Sequence, residues 1–323
     1  MSGAPFDAQL VVSAPAKVNL FFELLARRPD GFHDVETVMT TVSLCDTLAF
    51  RKTDDEAIRF HARWSHGLGS RDQNSTFSGD LPQDGGNLVV RALELLKANS
   101  KTKLGAQVQL IKRIPSGGGL GGGSSDAAAA LIAGNLSWRL GLSTQHLMEL
   151  GSTLGSDIPF FIATWNKRND ATVALCTGRG ERIERLPPVP KTELILVRPP
   201  ESLGTATVYS QATVPQQPER LAAAFRLGSL RSPLDFKDKV FNRLEHPARK
   251  MTQWIDRLES AFSRLPFITH QMSGSGSIYF GICKNGRDAQ RAQQQLRAAN
   301  VGHVIRVKTG AKMSLYHLTP STN

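Results

Sequence analysis

The chain has 323 residues, which is enough for two domains, and its 40% hydrophobic and 21% charged residues are typical of a soluble globular protein. No apolar run approaches the roughly 18 residues that a membrane-spanning helix needs, and the first residues lack the pattern of a secretory signal. Three cysteines, Cys45, Cys176 and Cys283, are too far apart in sequence for the spacing of a metal site. We therefore expect a cytoplasmic protein with reduced thiols and no membrane partner.

The net charge of +11 allows two interpretations. A basic protein can bind nucleic acid through the release of counterions, or it can bind a small polyanionic substrate. The basic residues are spread over several short groups, and no zinc finger or RNA-recognition signature accompanies them. The sequence therefore favours a small-molecule partner and no nucleic acid, with a basic RNA-binding protein as the alternative.

Hydrophobic periodicity and turn residues divide the first half of the chain into alternating strands and helices. Ser143 is expected to cap one helix and Gly155 to end it. The patterns predict strands at 9–24, 37–50 and 106–111, a surface loop at 66–86, and helices at 87–98, 127–140 and 144–154.

The pattern of residue types changes after a polar segment at 165–170, and we place a domain boundary there. The predicted domains are 1–167, which would bind the nucleotide, and 168–323, which would bind the second substrate. Strands and helices alternate in the second half, which indicates a small α+β layer. The patterns predict strands at 193–197, 277–283 and 303–308, and helices at 219–227, 248–263 and 287–299.

A glycine loop at residues 115–125 is the most informative segment of the chain, with six glycines among seven positions. Such a run costs much backbone entropy in a packed element, but it lets a bulky anion approach main-chain N–H groups. The helix that follows adds unpaired N–H groups and the positive end of its dipole. The segment predicts a phosphate cradle. Its candidate ATP-binding residues are Pro115, Ser116, Gly117, Gly118, Gly119, Leu120, Gly121, Gly122, Gly123, Ser124 and Ser125.

Other known kinds of glycine-rich segment match residues 115–125 less well. A flexible linker would not be bracketed so closely by a strand and a helix. A Walker loop requires lysine where Gly123 stands. Gly117, Gly119 and Gly122 match a dinucleotide fingerprint, but the acidic residue about twenty positions further on is missing. The partner motifs of protein kinases are also missing.

Two further segments accompany the glycine loop: Ala-Pro-Ala-Lys-Val-Asn-Leu at 14–20 and Ser-Gly-Ser-Gly-Ser at 273–277. In this order and spacing, the three segments resemble the GHMP family of small-molecule kinases over almost the whole chain. The resemblance implies an α+β, two-domain fold, with a ribosomal-protein-S5-like N-terminal domain and a ferredoxin-like C-terminal domain. It also implies ATP and Mg²⁺ as cofactors, and a monomer or weak homodimer.

Two more motifs narrow the resemblance: Asp-Gly-Phe-His at 30–33 and Leu-Gly-Ser-Asp-Ile-Pro-Phe at 154–160. They are similar to segments of the family members that phosphorylate the 2-hydroxyl of a cytidine-diphospho methylerythritol. Members that act on mevalonate, homoserine or a sugar share the glycine loop but not the Asp-Gly-Phe-His turn. These other kinases are the enzymatic alternative.

The resemblance implies a catalytic pair. Asp157 matches the general base toward the substrate hydroxyl, and Lys17 matches its cationic partner, which would keep the carboxylate ionised and stabilise the alkoxide. Taken alone, Asp157 could instead cap the helix that begins at Ile158 and Pro159, and Lys17 could be a solvated strand lysine. Because Lys17 and Asn19 lie two apart on a strand, both can reach the same substrate.

The resemblance also implies how a cytidine is recognised. Phe32 would stack on the pyrimidine and His33 would hydrogen-bond its edge. Tyr209 would lie on the opposite side, with a core strand aromatic as the alternative, and Thr205 would contact the diphosphate or the erythritol. The remaining candidate substrate contacts are Asn19, Gly274, Ser275 and Gly276.

Further nucleotide contacts are implied outside the glycine loop. Lys112 matches a position near the adenosine, and Asn87 matches an adenine-edge element. The hydroxyl of Ser124 or Ser125 would face Mg²⁺, although a hydroxyl at a helix start is more often a cap.

Overall fold

The computed structural model describes residues 9–66, 81–165 and 172–317. Most of the predicted surface loop at 66–86, and nearly all of the polar segment at 165–170, lie outside these residues. The strands are β1 (Leu10–Arg27), β2 (His33–Thr53), β3 (Ile58–Trp64), β4 (Gly105–Lys112), β5 (Val173–Gly178), β6 (Arg182–Arg185), β7 (Glu193–Arg198), β8 (Phe241–Asn242), β9 (Phe267–Met272), β10 (Tyr279–Cys283), β11 (His303–Lys308) and β12 (Ser314–His317).

The α-helices surround two sheets. Within the described ranges, none of them has the length and apolar character needed to cross a membrane. A short 3-10 helix covers Pro233–Phe236. The α-helices are α1 (Leu88–Ser100), α2 (Gly122–Ser137), α3 (Thr144–Leu154), α4 (Ile158–Thr164), α5 (Thr205–Ser210), α6 (Ala222–Arg226), α7 (Glu245–Met251), α8 (Trp254–Ser263) and α9 (Gly286–Ala298).

The first sheet has eight strands, with the order β12-β1-β2-β4-β3 along its main path. Strand β2 is 21 residues long and pairs with three strands: with β1 along most of its length, with β5 through its first half and with β4 through its second half. Helices α1 to α4 pack near this sheet, and the alanine run of α2 is fully buried among them. The small alanine side chains allow this close packing, and α2 carries the glycine loop at its N-terminus.

The second sheet has four antiparallel strands in the order β11-β7-β10-β9. The strands predicted at 193–197, 277–283 and 303–308 all occur in it, as β7, β10 and β11. One hydrophobic cluster joins the two sheets, since it contains Val18 of β1, Leu196 of β7 and Phe280 of β10. The glycine loop lies beside this shared core.

The sheets are not divided at residue 167. Strands β5 and β6 follow that position in the chain but pair within the first sheet, and so does β12 near the C-terminus. The division into domains at 1–167 and 168–323 therefore stays a prediction, while sheet pairing crosses it. Sequence periodicity identifies single strands but does not show which strand a given strand pairs with.

Two helix predictions need correction. Helix α2 begins at Gly122 and not near residue 127, so Ser124 and Ser125 lie inside its first turn. The helix predicted at 248–263 is two helices, because Thr252 between α7 and α8 has extended backbone and its hydroxyl accepts a hydrogen bond from the N–H of Trp254 at 3.2 Å. Strands β3, β5, β6, β8, β9 and β12 were not predicted.

Candidate active site

Two connected cavities lie between the sheets and the loops. The first, which we call the glycine-loop cavity, measures about 500 Å³ and is lined by residues 114–124 and by Lys17, Asn19 and Asp157. The second, which we call the hairpin cavity, measures about 700 Å³ and is lined by Phe32 and His33 of the β1–β2 turn. The cavities share five lining residues: Gly155, Ser156, Arg179, Thr205 and Tyr209.

The carbonyl groups of the glycine loop bind protein donors. The carbonyl oxygen of Leu120 accepts from the N–H of Lys17 at 2.9 Å, and that of Gly118 accepts from the N–H of Ile278 at 3.3 Å. The Ser273 hydroxyl donates to the carbonyl of Gly119 at 3.2 Å. Because helix α2 begins at Gly122, the N–H groups of Gly122, Gly123 and Ser124 have no carbonyl partner within the helix. This arrangement provides donors and the positive end of a helix dipole for an anion.

The glycines of the loop are required for different reasons. Gly119 has a φ of +79°, and a Cβ there would lie 2.2 Å from the carbonyl oxygen of Ser273. Gly121 has a φ of +68° and serves as the N-cap of α2. At Gly123, by contrast, a Cβ would meet only the Leu88 side chain, at 3.5 Å. The close approach of backbone to backbone therefore requires glycine at 119 but not at 123.

A buried ionic cluster closes the base of the loop. The ammonium of Lys112 forms ion pairs with Asp46 and, at 2.6 Å, with Asp126, and all three side chains are buried. The N–H of Ile114 donates to Asp46 at 2.9 Å. Burial, aided by the nearby charge of Asp46, raises the pKa of the Asp126 carboxyl, and the Lys112 charge opposes this shift. The cluster ties the residues before the loop to the helix that follows it.

The two residues outside the loop that the resemblance assigns to the nucleotide, Lys112 and Asn87, make other contacts in the structure. Lys112 lines the glycine-loop cavity, but its charge is held by two carboxylates. Asn87 caps helix α1 by accepting from the N–H of Val89 at 3.0 Å, and it does not line either cavity, whereas Leu88 does. Contact of Lys112 and Asn87 with the adenosine stays a prediction.

The two serine hydroxyls differ in position. Ser124 lines the glycine-loop cavity, while Ser125 is fully buried and, among the described residues, its hydroxyl has no hydrogen-bond partner. The described part of the chain contains no group of three or more His, Cys, Asp or Glu side chains that could hold a metal ion. Mg²⁺ in nucleotide sites is held mainly by phosphates and waters, so one protein hydroxyl such as that of Ser124 fits it.

The predicted catalytic pair is present. The ammonium of Lys17 lies 3.4 Å from the carboxylate of Asp157 and donates to the amide oxygen of Asn19 at 2.7 Å. The Lys17 side chain is only 5% exposed and that of Asp157 is 31% exposed. Asp157 occupies the N-cap position of α4 but makes no capping hydrogen bond with its side chain. The alternatives of a solvated lysine and a simple helix cap are therefore wrong.

Residues around the pair fix its orientation. The amide of Asn19 donates to the Thr37 hydroxyl at 2.8 Å, and that hydroxyl donates to the Phe21 carbonyl at 2.7 Å. Thr37 was not identified from the sequence, because nothing in its local pattern marks it. Thr37 comes within hydrogen-bond distance of Asn19 only because β1 pairs with β2.

The Gly-Ser loop at 273–277 approaches the same cavity. A Cβ at Gly274 would lie 3.0 Å from the Asn19 amide oxygen, and the hydroxyls of Ser275 and Thr205 lie 2.9 Å apart. Gly276 lines neither cavity, and a Cβ there would lie 2.4 Å from the Met272 sulfur. Packing within the loop accounts for glycine at 276, so its predicted substrate contact has no support in the geometry.

The β1–β2 turn presents an exposed aromatic ring. Gly31 has a φ of +85°, and the Asp30 carboxylate accepts from the N–H of Phe32 at 3.1 Å. The Phe32 side chain is 54% exposed at the hairpin cavity. His33 is buried beside it, and burial, aided by the charge of Arg27, lowers the pKa of its imidazole. A neutral imidazole can both donate and accept a hydrogen bond.

Tyr209 lies on helix α5 and lines both cavities, so the alternative of a core strand aromatic is wrong. Its ring centroid is 5.6 Å from that of His33. Burial, together with the negative charge of Asp157, raises the pKa of the Tyr209 hydroxyl. The phenol therefore stays protonated near neutral pH and can donate a hydrogen bond.

Arg179 is a lining residue that the sequence analysis did not single out. It lies in the turn between β5 and β6 and lines both cavities. Its flanking residues, Gly178 and Gly180, have φ values of +71° and +114°. The Gly-Arg-Gly-Glu sequence was a signal for this turn, but only the pairing of β5 with β2 brings it to the cavities.

Family models support the assignment that the motifs imply. The N-terminal domain of GHMP kinases matches residues 87–164, and the C-terminal domain of GHMP kinases matches residues 221–302. The first match contains the glycine loop and Asp157, and the second contains the Gly-Ser loop.

Curated relatives and solved structures are similar over most of their lengths. A 4-diphosphocytidyl-2-C-methyl-D-erythritol kinase of Rhodopirellula baltica is 35% identical over 91% of this chain and 92% of that protein. A 4-diphosphocytidyl-2-C-methyl-D-erythritol kinase of Pelotomaculum thermopropionicum is 36% identical over 88% of this chain and 92% of that protein. A crystal structure of a 4-(cytidine 5'-diphospho)-2C-methyl-D-erythritol kinase superposes with a TM-score of 0.72 at 29% identity, covering 93% of this chain and 99% of that chain.

A homoserine kinase structure from Cytophaga hutchinsonii superposes with a TM-score of 0.66 at 17% identity, over 98% of this chain and 99% of that one. At that identity the likeness shows the fold alone. Together, the family models and the similar structures confirm the predicted α+β, two-domain fold.

Proposed function

The chain belongs to the GHMP kinase family, and on that premise we propose that it phosphorylates the 2-hydroxyl of 4-diphosphocytidyl-2-C-methyl-D-erythritol with ATP. This reaction yields the 2-phosphate and ADP, and it is a step of the non-mevalonate route to isoprenoid precursors. The observation that carries the proposal is the Lys17–Asp157 pair, 3.4 Å apart, between the glycine loop and a second cavity that bears Phe32 and His33.

Asp157 takes the proton in the proposed reaction. As the 2-hydroxyl oxygen bonds to the γ-phosphorus, its proton passes to the Asp157 carboxylate, and the bond from the γ-phosphorus to the bridging oxygen breaks to release ADP. The ammonium of Lys17 stabilises the negative charge that develops on the attacking oxygen. Asn19 and Thr37 hold that ammonium in place through the hydrogen bonds described above.

The glycine loop binds the phosphates of ATP in this proposal. The N–H groups of residues 117–124 and the start of α2 point donors and positive potential toward them. The hydroxyl of Ser124 would hold Mg²⁺, which when bound neutralises phosphate charge. The protein contributes alignment of the two substrates, which is the main requirement of phosphoryl transfer.

The hairpin cavity takes the cytidine. Phe32 offers a stacking face, neutral His33 offers a hydrogen bond to the base edge, and Tyr209 closes the opposite side. Thr205 and Ser275, whose hydroxyls are 2.9 Å apart, contact the polyol. We further propose that the protein acts in the cytoplasm as a monomer or weak homodimer, without nucleic acid or membrane as a partner.

An ADP-release assay over a panel of acceptors tests the proposal. The wild-type chain is given ATP, Mg²⁺ and, in turn, the cytidylyl substrate, mevalonate, homoserine and a hexose. We expect ADP only with the cytidylyl substrate. Equal release with mevalonate or homoserine would assign the chain to another branch of the family, and no release with any acceptor would contradict a kinase.

A further inference from the structure

Arg179 occupies the passage between the two cavities. Of the five residues that line both, namely Gly155, Ser156, Arg179, Thr205 and Tyr209, it alone carries a positive charge. The two lysines of the glycine-loop cavity lie closer to carboxylates, since Lys17 is beside Asp157 and Lys112 is between Asp46 and Asp126, whereas Arg179 has Glu181 at 3.9 Å. A cation at such a passage suits an anion that spans both cavities.

The backbone of Arg179 is held against the catalytic segment. Its N–H donates to the Glu181 carboxylate at 2.7 Å, and the left-handed Gly178 and Gly180 on either side form a tight turn. A Cβ at Gly180 would lie 3.7 Å from the Cβ of Ser156, the residue before Asp157. The turn that carries Arg179 therefore lies beside the segment that carries Asp157.

The guanidinium is placed to bind an anion. It lies over the Phe32 ring, 5.1 Å from the ring centroid, and its Nε is 3.9 Å from Glu181, too far for a direct hydrogen bond. A planar guanidinium can donate to two phosphate oxygens at once. The side chain is 36% exposed, so a ligand can reach it.

We propose that Arg179 binds the diphosphate of the substrate and thereby selects a nucleoside diphosphate over a nucleoside. This inference rests on the proposed function. If the cytosine lies at Phe32 and the reacting hydroxyl at Asp157, the diphosphate that joins them has to cross the shared lining at Arg179. By binding the diphosphate, the guanidinium would hold the reacting hydroxyl near Asp157 while the base stays at Phe32.

The test compares inhibition by CDP and by cytidine in the full-length protein. The test variant is Arg179→Gln, and the control is Arg182→Gln, which removes the same charge from β6 three residues further on, where the side chain is exposed and lines neither cavity. We expect Arg179→Gln to weaken CDP about tenfold, which is the lower end for hydrogen bonds to a charged group because Arg179 is partly exposed. Cytidine should change less than about twofold in both variants, and CDP less than about twofold in the control.

A third variant separates charge from stacking. Arg179→Lys keeps the positive charge but loses the planar group and its paired donors, so its preference for CDP over cytidine should lie between those of the wild type and Arg179→Gln. If Arg179→Gln weakens CDP and cytidine equally, or weakens neither, the inference is overturned. Failure of the wild-type chain to phosphorylate the cytidylyl substrate would overturn the proposed function instead, and that assay is independent of the inhibitor ratio.

Discussion

The glycine-loop cavity and the hairpin cavity differ in the groups that line them. The first is lined largely by the main chain of the glycine loop and by two buried lysines that face carboxylates. The second is lined by side chains of turns and of the six-residue helix α5, and its most prominent ring, Phe32, is exposed. Main-chain N–H groups can bind any phosphate, whereas side chains distinguish one base from another. In the proposed function, phosphoryl transfer and recognition of the acceptor therefore depend on different kinds of group.

The largest expected effect tests the chemistry of the glycine-loop cavity. Asp157→Asn removes the proton acceptor while keeping the shape, so we expect kcat to fall by about 10²–10⁴. The melting temperature should change little, because the Asp157 side chain makes no capping hydrogen bond. Saturating steady-state kinetics and thermal unfolding measure the two quantities. A variant that keeps most of its kcat would remove Asp157 from the mechanism.

Lys17→Met is the second single variant of a double-mutant cycle with Asp157→Asn, since it keeps the apolar stem of the lysine and loses its charge. Because Lys17 and Asp157 act on one proton transfer in the proposed mechanism, the double variant should lose less kcat than the product of the two single losses. Fully multiplicative losses would show that the two groups act independently, despite their separation of 3.4 Å.

The next largest effect is on stability, and it tests the close packing of the glycine-loop main chain against the Gly-Ser loop. Gly119→Ala places a Cβ 2.2 Å from the Ser273 carbonyl oxygen at a positive φ, so we expect a loss of about 2–3 kcal/mol in the free energy of unfolding. Gly123→Ala is the control, with only a 3.5 Å contact to Leu88, and should be neutral or slightly stabilising. Equal losses in chemical denaturation would mean that the loop is not held against the Gly-Ser loop.

A smaller effect tests the hairpin cavity. Phe32→Leu removes the stacking face but keeps an apolar side chain, and stacking of a base on an aromatic ring contributes about 1–3 kcal/mol. We expect the KM for the cytidylyl substrate to rise about tenfold, with kcat and the KM for ATP nearly unchanged. An increase in the KM for ATP instead would place the base of ATP in this cavity.

The smallest effect is a pH dependence. The pKa of His33 is lowered from 6.5 by burial and by the Arg27 charge, so the folded state favours the neutral imidazole. Its contribution to stability is present above pH 6.5 and is lost as the pH falls from 6.5 through the lowered pKa. The melting temperature of His33→Asn should therefore depend less on pH below 6.5 than that of the wild type. An NMR titration that gives His33 a pKa above 6.5 would contradict the assignment.

Much of the active centre follows from the sequence alone. The glycine run by itself predicts a phosphate cradle, whereas the Lys-Val-Asn strand and the Gly-Ser-Asp-Ile-Pro segment indicate a kinase site only in combination with it. The prediction that Lys17 and Asn19 share one face is confirmed by their hydrogen bond of 2.7 Å. Ser143 and Gly155 begin and end α3 as expected, because capping is a local interaction.

What the sequence could not determine depends on contacts between distant segments. Helix α2 begins inside the glycine run because the loop is anchored by Lys17, Ser273 and Ile278, which lie about 100 or more residues away in the chain. Lys112 meets Asp46 because β2 pairs with β4. Arg179 reaches both cavities because β5 pairs with β2 and not with the second sheet. Local periodicity records which face of an element is apolar, whereas only tertiary packing decides which charged groups meet.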